Sequence, residues 1–375
     1  MRVTLISKAC IVGAYQTKLE AIAASDDVEL TVVVPSSWRE GGRVIPLDRD
    51  HVRGYALVVA PLALNGHFHA HFYPSLPAIL RRSRPDLVHM DEEPYNLATY
   101  LALRAADRVG ARALFFTWQN LLRRYPPPFS WFERDVYRRS AGAIAGNAEA
   151  QNVLVAKGLT RSTRVIPQFG IDPELFAPAA EQAREDTFTI GYAGRLVEEK
   201  GVHILLDAAH ALDGEWRLLL YGEGPQKEAL SARAAALGVS DRVQFRGHAP
   251  SRQMPDVYRQ MDVLVLPSLT RPNWKEQFGR VLVEAMACGV VVVGSDSGEI
   301  PNVIASGPAP DAGLVVPEGD ANALTAALSR LRDDPSLRQM LAEQGRRRAL
   351  ERYTQARIAA ETVAFYRQLC KAADS

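Results

Sequence analysis

Glu276 and Glu284 stand eight residues apart in the run Glu276-Gln-Phe-Gly-Arg-Val-Leu-Val-Glu284. The pattern predicts a helix that begins near Gly279 and carries Glu284 about one turn in. Glu276 then sits on the loop before that helix. One carboxylate, several free backbone N–H groups and the positive end of a helix would converge on one spot. Such a spot can hold a sugar and its diphosphate. Gly279 leaves room if backbone must approach a ligand closely.

A second cluster is Gly191-Tyr-Ala-Gly194-Arg195-Leu-Val-Glu-Glu-Lys200-Gly201, where a strand ends at a Gly-rich turn and two cations follow five residues apart. Arg195 offers a planar fork and Lys200 a compact charge, and both suit phosphate oxygens. Pairing of these cations with Glu198 and Glu199 at the surface is the alternative. Leu219-Leu-Tyr221-Gly222-Glu-Gly224-Pro225 repeats the strand-then-glycine turn. Neither Gly191 nor Gly222 opens the Gly-x-Gly-x-x-Gly fingerprint of dinucleotide binding, which argues against a dehydrogenase.

In the first half, Asp91-Glu92-Glu93-Pro94 closes a strand and supplies acids. Asp91 or Glu92 could meet an acceptor, or Asp91 or Glu93 could cap the helix after Pro94. The run Asn120–Tyr137 mixes Arg123, Arg124 and Arg134 with Tyr125, Phe129, Trp131, Phe132 and Tyr137. It suits a membrane interface or a lipid-linked acceptor, or a loop that packs its aromatics internally.

The elements that would position these residues alternate. Val3–Ile6, Val28–Val34, Ala56–Ala60, Leu87–His89, Ala113–Thr117 and Gly142–Gly146 read as short buried strands, with helical patterns such as Thr17–Ala24 and Asn96–Val109 between them. Residues 165–178, with four of the chain's prolines and glycines, read as a linker. A second series runs through Thr187–Tyr192, Trp216–Tyr221, Val243–Gly247, Val263–Pro267 and Val290–Gly294, and the chain is helical from Asp320. The alternation predicts two α/β domains with doubly wound parallel sheets, whose ligands bind outside the carboxyl ends of the strands.

With 375 residues, two domains are expected. A hydrophobic content of 47% and a charged content of 23% are those of a soluble globular protein. No apolar run approaches the roughly 20 residues of a membrane span, and Met1–Lys8 reads as a strand rather than a signal peptide. The three scattered cysteines give neither a disulfide framework nor a metal spacing, so a cytoplasmic location is expected. The net charge of +1 hides an asymmetry: residues 1–170 hold 21 Lys and Arg against 15 Asp and Glu. Either a solvated basic face or an anionic partner, such as a membrane surface or a phosphorylated acceptor, accounts for it. No motif for nucleic acid accompanies the charge.

The run Lys275–Ile304, with its Glu-x7-Glu spacing, Phe278-Gly279 and Glu284-Ala-Met-Ala-Cys-Gly289, resembles retaining glycosyltransferases of family 4. The resemblance extends over nearly the whole chain. It implies the GT-B fold, two Rossmann-like domains facing across a cleft. An N-terminal domain of residues 1–167 would take the acceptor and a C-terminal domain of 168–353 the nucleotide sugar. A last segment, 354–375, would cross back to the first domain. The resemblance places Arg195 and Lys200 on the donor diphosphate, Glu276 against the donor sugar and Glu284 on the ribose hydroxyls. The backbone of Phe278, Gly279 and Arg280 would meet sugar and phosphate. Gly13, Gly194, Gly222 and Gly247 would border the donor. The chain departs from the family at Gln119, which stands where a His is common, and at Glu299 and Asn302, which replace a usual Gly and Glu.

These matches imply retaining transfer of a hexosyl unit from a UDP- or GDP-sugar to an acceptor hydroxyl, with neither a metal nor another cofactor. The implied catalytic set is Arg195, Lys200, Glu276, Gln119 and Asp91. The acceptor would be a glycan, a lipid-linked molecule or a small metabolite, in polysaccharide or other glycan assembly. Peripheral contact with an anionic membrane stays open. A nucleotide-sugar epimerase of the same fold and a non-catalytic sugar-nucleotide-binding homologue are the alternatives.

Overall fold

The computed structural model describes residues 1–179, 187–305 and 311–371. The chain forms two compact units: unit 1 is Met1–Gly170 together with the segment from Gln355, and unit 2 is Ile171–Thr354.

Unit 1 is built on nine strands: β1 (Arg2–Ile6), β2 (Glu29–Val34), β3 (Ser37–Glu40), β4 (Arg43–Pro46), β5 (Ala56–Val59), β6 (Leu87–Met90), β7 (Arg112–Thr117), β8 (Gly142–Ala145) and β9 (Ser162–Val165). Seven form one parallel sheet in the order β5-β2-β1-β6-β7-β8-β9. The other two, β3 and β4, pair antiparallel. The sheet helices are α1 (Gly13–Ala23), α2 (Leu76–Ser83), α3 (Leu97–Arg108), α4 (Phe129–Arg139) and α5 (Ala148–Ala156). Central strands such as β6 and β8 are buried along their whole length, because helices cover both sheet faces.

Unit 2 carries β10 (Phe188–Ala193), β11 (Trp216–Tyr221), β12 (Val243–Gly247), β13 (Val263–Leu266), β14 (Val291–Ser295) and β15 (Leu314–Val316). Its sheet is parallel in the order β12-β11-β10-β13-β14-β15. The helices are α6 (Val202–His210), α7 (Lys227–Ala236), α8 (Met254–Tyr258), α9 (Arg280–Ala287), α10 (Ile300–Ala305), α11 (Ala321–Asp333) and α12 (Pro335–Arg352). In both sheets the strand order reverses beside the first strand, at β1/β6 and at β10/β13. The crevice outside the carboxyl ends at such a switch point is where doubly wound sheets bind ligands.

The last helix, α13 (Gln355–Lys371), belongs to unit 1. It buries Ile358, Val363, Phe365, Tyr366 and Leu369 in the core that holds Leu19 and Ile22 of α1. Burial of each such side chain contributes about 1.5–3 kcal/mol. Tyr366 also reaches His89 of β6, with its hydroxyl 2.6 Å from Nδ1. Burial holds the His89 pKa well below the usual imidazole value, so the ring is neutral. Expected residues 372–375 of the terminal segment lie outside the described residues.

Candidate active site

In unit 2 the strand ends meet through glycine backbone. Gly194, after β10, donates its N–H to Tyr221 O at 2.9 Å, and Gly222, after β11, donates to Gly247 O at 2.7 Å. A Cβ at Gly222 would fall onto the carbonyl oxygen of Gly194. Only glycine lets the two turns pack this closely. The floor of the crevice is therefore bare backbone over three neighbouring strands.

Lys200, on the segment after β10, meets Glu276 of the loop before α9. Lys200 Nζ lies 2.5 Å from Glu276 Oε2, with side-chain exposures of 14% and 10%. Ser268, after β13, donates to the same oxygen at 2.9 Å. Lys200 also lies 4.9 Å from the centre of the Trp274 ring. The alternative pairing of these cations with Glu198 and Glu199 is not what forms, since Glu198 takes Arg271 at 2.8 Å. Arg195 is exposed, and no carboxylate among the described residues pairs with it. A lysine has three donors, so Lys200 can hold Glu276 and still meet an arriving oxyanion.

Gly279 caps α9 in the left-handed region, with φ 73°. This conformation turns the chain from the Glu276 loop into the helix and suits glycine. Phe278 is buried, its ring edge-on to Tyr353 at 5.6 Å. On the first turns of α9, Arg280 Nε lies 2.6 Å from Glu284 Oε1. Tyr258 of α8 donates its hydroxyl to Glu284 Oε2 at 2.6 Å. An ionised carboxylate has about four lone-pair sites, so Glu284 is oriented by two neighbours and keeps acceptor capacity for two hydroxyls. Glu299 donates its backbone N–H to Glu276 O at 3.1 Å, and Asn302 bonds the Glu299 side chain. The departing loop thus braces the Glu276 backbone.

In unit 1 each acid of the Asp91–Glu93 triplet ties a strand end to a neighbour. Ser7 donates to Asp91 Oδ2 at 2.7 Å, while Oδ1 is buried with no partner. Burial pushes the Asp91 carboxyl pKa up, against the lowering effect of Lys18 and Ser7. For Glu92, burial also raises the pKa, but Lys8 at 2.6 Å and His71 at 3.0 Å outweigh it and hold the carboxyl at about 2. Glu93 accepts from Thr117 Oγ1 at 2.6 Å and Trp118 N at 2.8 Å. Burial nevertheless dominates and raises Glu93 to about 7. The cap read for Asp91 or Glu93 does not form: the N-cap of α3 is Asn96, while Asp91 takes Ser7 and Glu93 takes Thr117 and Trp118.

Gln119 follows β7, buried, with Oε1 accepting from Lys157 Nζ at 3.2 Å. The cation fixes which end of the amide faces it, and Nε2 is left buried without a partner. A buried unmade donor costs about 1–3 kcal/mol, which a ligand oxygen would relieve. Gly13 opens α1. Its N–H is taken by Asp48 Oδ2 at 3.2 Å, and Asp50 fills the space beside its Cα. An anion reaching Gly13 would meet both carboxylates. In the basic-aromatic run most rings pack inward: Tyr125 stacks on Tyr95 at 4.1 Å, Phe132 on Tyr100 at 4.6 Å and Tyr137 on Phe115 at 5.8 Å. Trp131 stays 58% exposed. Tyr258, Ser268 and Lys157 are given no role by the sequence, and Glu93, within the Asp91–Pro94 motif, is given only that of a helix cap.

Among the described residues no group of three His, Cys, Asp or Glu is placed to hold a metal ion. Nor is any helix long and apolar enough to cross a membrane.

Two parallel α/β units, each with its strand order reversing beside its first strand, define the GT-B fold of glycosyltransferases. The chain belongs to the group 1 glycosyl transferases of family 4. The profile described as Glycosyl transferases group 1 matches residues 175–348, and that described as Glycosyltransferase Family 4 matches residues 19–175. The GDP-mannose-dependent alpha-(1-6)-phosphatidylinositol monomannoside mannosyltransferase of Mycolicibacterium smegmatis is 33% identical over 91% of this chain and 91% of its own length. The MMP alpha-(1->4)-mannosyltransferase of Mycolicibacterium hassiacum is 32% identical over 66% of this chain, which spans 59% of that relative. Among solved structures, Anabaena HepE in complex with UDP superposes with a TM-score of 0.71 at 20% identity, covering 98% of this chain and 100% of HepE.

Proposed function

We propose that the protein is a retaining, metal-independent glycosyltransferase that moves a hexosyl unit from a UDP- or GDP-sugar to an acceptor hydroxyl. The observation that carries this reading is the Lys200–Glu276 pair, which joins the segments following β10 and β13, the two strands at the switch point of unit 2, with the exposed Arg195 on the first of those segments. Charge builds on the departing diphosphate as the glycosidic bond lengthens. Arg195, Lys200 and the N–H groups at the start of α9 stabilise that charge. Glu276, neutralised by Lys200, faces the sugar. Glu284, oriented by Tyr258 and Arg280, accepts from the ribose hydroxyls. Gln119 and Asp91 stand at strand ends of unit 1, where the acceptor binds, and the Nε2 of Gln119 is a donor rather than a base. The leaving phosphate then takes the acceptor proton. Relatives that use GDP-mannose or bind UDP set the donors to try first. The acceptor belongs to glycan or glycolipid assembly.

The test is incubation with UDP-glucose, UDP-galactose and GDP-mannose, with and without simple glycoside and inositol acceptors, in chelator. Proton NMR then reads the anomeric configuration of the product. Transfer with retained configuration supports the reading. An inverted product, loss of activity in chelator, or a changed donor sugar without acceptor contradicts it.

A further inference from the structure

A cavity of about 670 Å3 opens on unit 1 between α4 and the turn from α5 into β9. Arg134, Arg138, Lys157 and Arg161 line it together with the rings of Trp131 and Tyr137, and no carboxylate does. Two of the cations are matched from behind the wall: Arg138 by Asp135 at 2.6 Å and Lys157 by Glu133 at 2.6 Å. Arg134 gives its Nε to the carbonyl of Ser130, at 3.2 Å. Neither Arg134 nor Arg161 pairs with an acid among the described residues, and both side chains are exposed. Four cations around one concavity, two of them uncompensated, repel one another unless an anion enters. Thr160 and Gly158 complete the lining. Guanidinium forks match the oxygens of a tetrahedral anion, and the exposed Trp131 ring suits the organic part attached to it.

We propose that this cavity is a phosphate-binding pocket, separate from the residues assigned to the donor, whose ligand is a phosphate ester. A phospholipid headgroup and a soluble phosphorylated molecule present the same chemistry. The cavity lies entirely within unit 1, so the proposal does not depend on the reading given to Lys200 and Glu276.

The full chain is titrated with glycerol 3-phosphate. It is also sedimented with vesicles of phosphatidylcholine alone and of phosphatidylcholine containing phosphatidylglycerol. Wild type is compared with Arg161→Gln and with Arg134→Glu/Arg161→Glu. Far-UV circular dichroism and the melting of unit 1, to which these residues belong, serve as the control for folding. The pocket predicts saturable binding of the soluble ester or of the anionic vesicles, weakened roughly fivefold by removing one cation and more than tenfold by the double reversal. Binding of glycerol 3-phosphate assigns a soluble ester, and binding of the phosphatidylglycerol vesicles alone assigns a lipid. If the double variant does not fold, Arg161→Gln decides by its fivefold loss. Absence of binding to both probes in wild type, or equal binding by wild type and a folded double variant, overturns the proposal.

Discussion

Replacing Lys200 by Met separates what the Lys200–Glu276 pair does for folding from what it does for chemistry. Methionine keeps the length of the side chain and removes its charge, and Glu276 keeps the Ser268 hydrogen bond. Breaking a fully buried ion pair costs about 3–5 kcal/mol because one charge is left uncompensated. Both side chains retain some exposure, 14% and 10%, so solvent screens part of that cost and about 2 kcal/mol is expected. For a unit of this size that is a fall in Tm of about 4–8 °C. Lys200→Met/Glu276→Gln removes both charges and recovers more than half of the loss. Activity behaves differently. A cation that acts on the leaving diphosphate is needed in the transition state, and its removal lowers kcat/KM about 10²–10³-fold. The double variant does not regain that activity. Calorimetric melting and a transfer assay on the same preparations read both quantities. The reasoning fails if Lys200→Met keeps full transfer activity, or if the double variant recovers activity along with stability.

Further consequences concern single groups. Burial raises the Glu93 carboxyl in the folded protein to about 7, against an ordinary value of 4.5. Its folded form disfavours the charge, so its contribution to stability is fully present below pH 4.5 and is lost as pH rises through 7. The loss amounts to about 3 kcal/mol. Raised Asp91 adds to this slope, and the buried neutral His89 opposes it below its usual value, so urea unfolding of wild type minus Glu93→Gln at pH 5 and pH 8 isolates the effect. Equal pH slopes in the two proteins would sink the assignment. Tyr366→Phe leaves His89 Nδ1 buried without its partner and should destabilise unit 1 by about 1–3 kcal/mol in the same assay. A neutral result would mean that the bond holds α13 less than its geometry implies. Tyr258→Phe frees Glu284 Oε2 and should weaken nucleotide binding about 2–10-fold, whereas unchanged binding would remove Tyr258 from the site.

The alternation of strand and helix is legible because buried parallel strands are short, apolar and β-branched, as in Val-Leu-Val-Leu of β13. The helix at Gly279 is legible because a glycine precedes a short run of good helix formers, Arg-Val-Leu-Val-Glu-Ala-Met-Ala. The β3–β4 pair is not: Ser-Trp-Arg-Glu and Arg-Val-Ile-Pro are mostly exposed, so they carry no burial pattern. Nor is the edge strand β9, exposed along most of its length. Around the site, the sequence marks residues that share a loop, such as Arg195 and Lys200. It does not mark partners brought together by the sheet. Tyr258 meets Glu284 across 26 residues, Lys157 meets Gln119 across 38 and Tyr366 meets His89 across 277. Each of those pairs is set by strand order, which local periodicity does not encode. The inward packing of Tyr125, Phe132 and Tyr137 is likewise decided by rings from other elements.

The central claim is that unit 2 holds a nucleotide sugar through Glu284, Arg195 and Lys200. Calorimetric titration of wild type and Glu284→Ala with UDP and GDP tests it most directly. The account predicts that wild type binds one of them and that Glu284→Ala weakens this binding by about 1–3 kcal/mol, the cost of losing hydrogen bonds to a charged acceptor. Binding of neither nucleotide to folded wild type, or equal binding by Glu284→Ala, would contradict it.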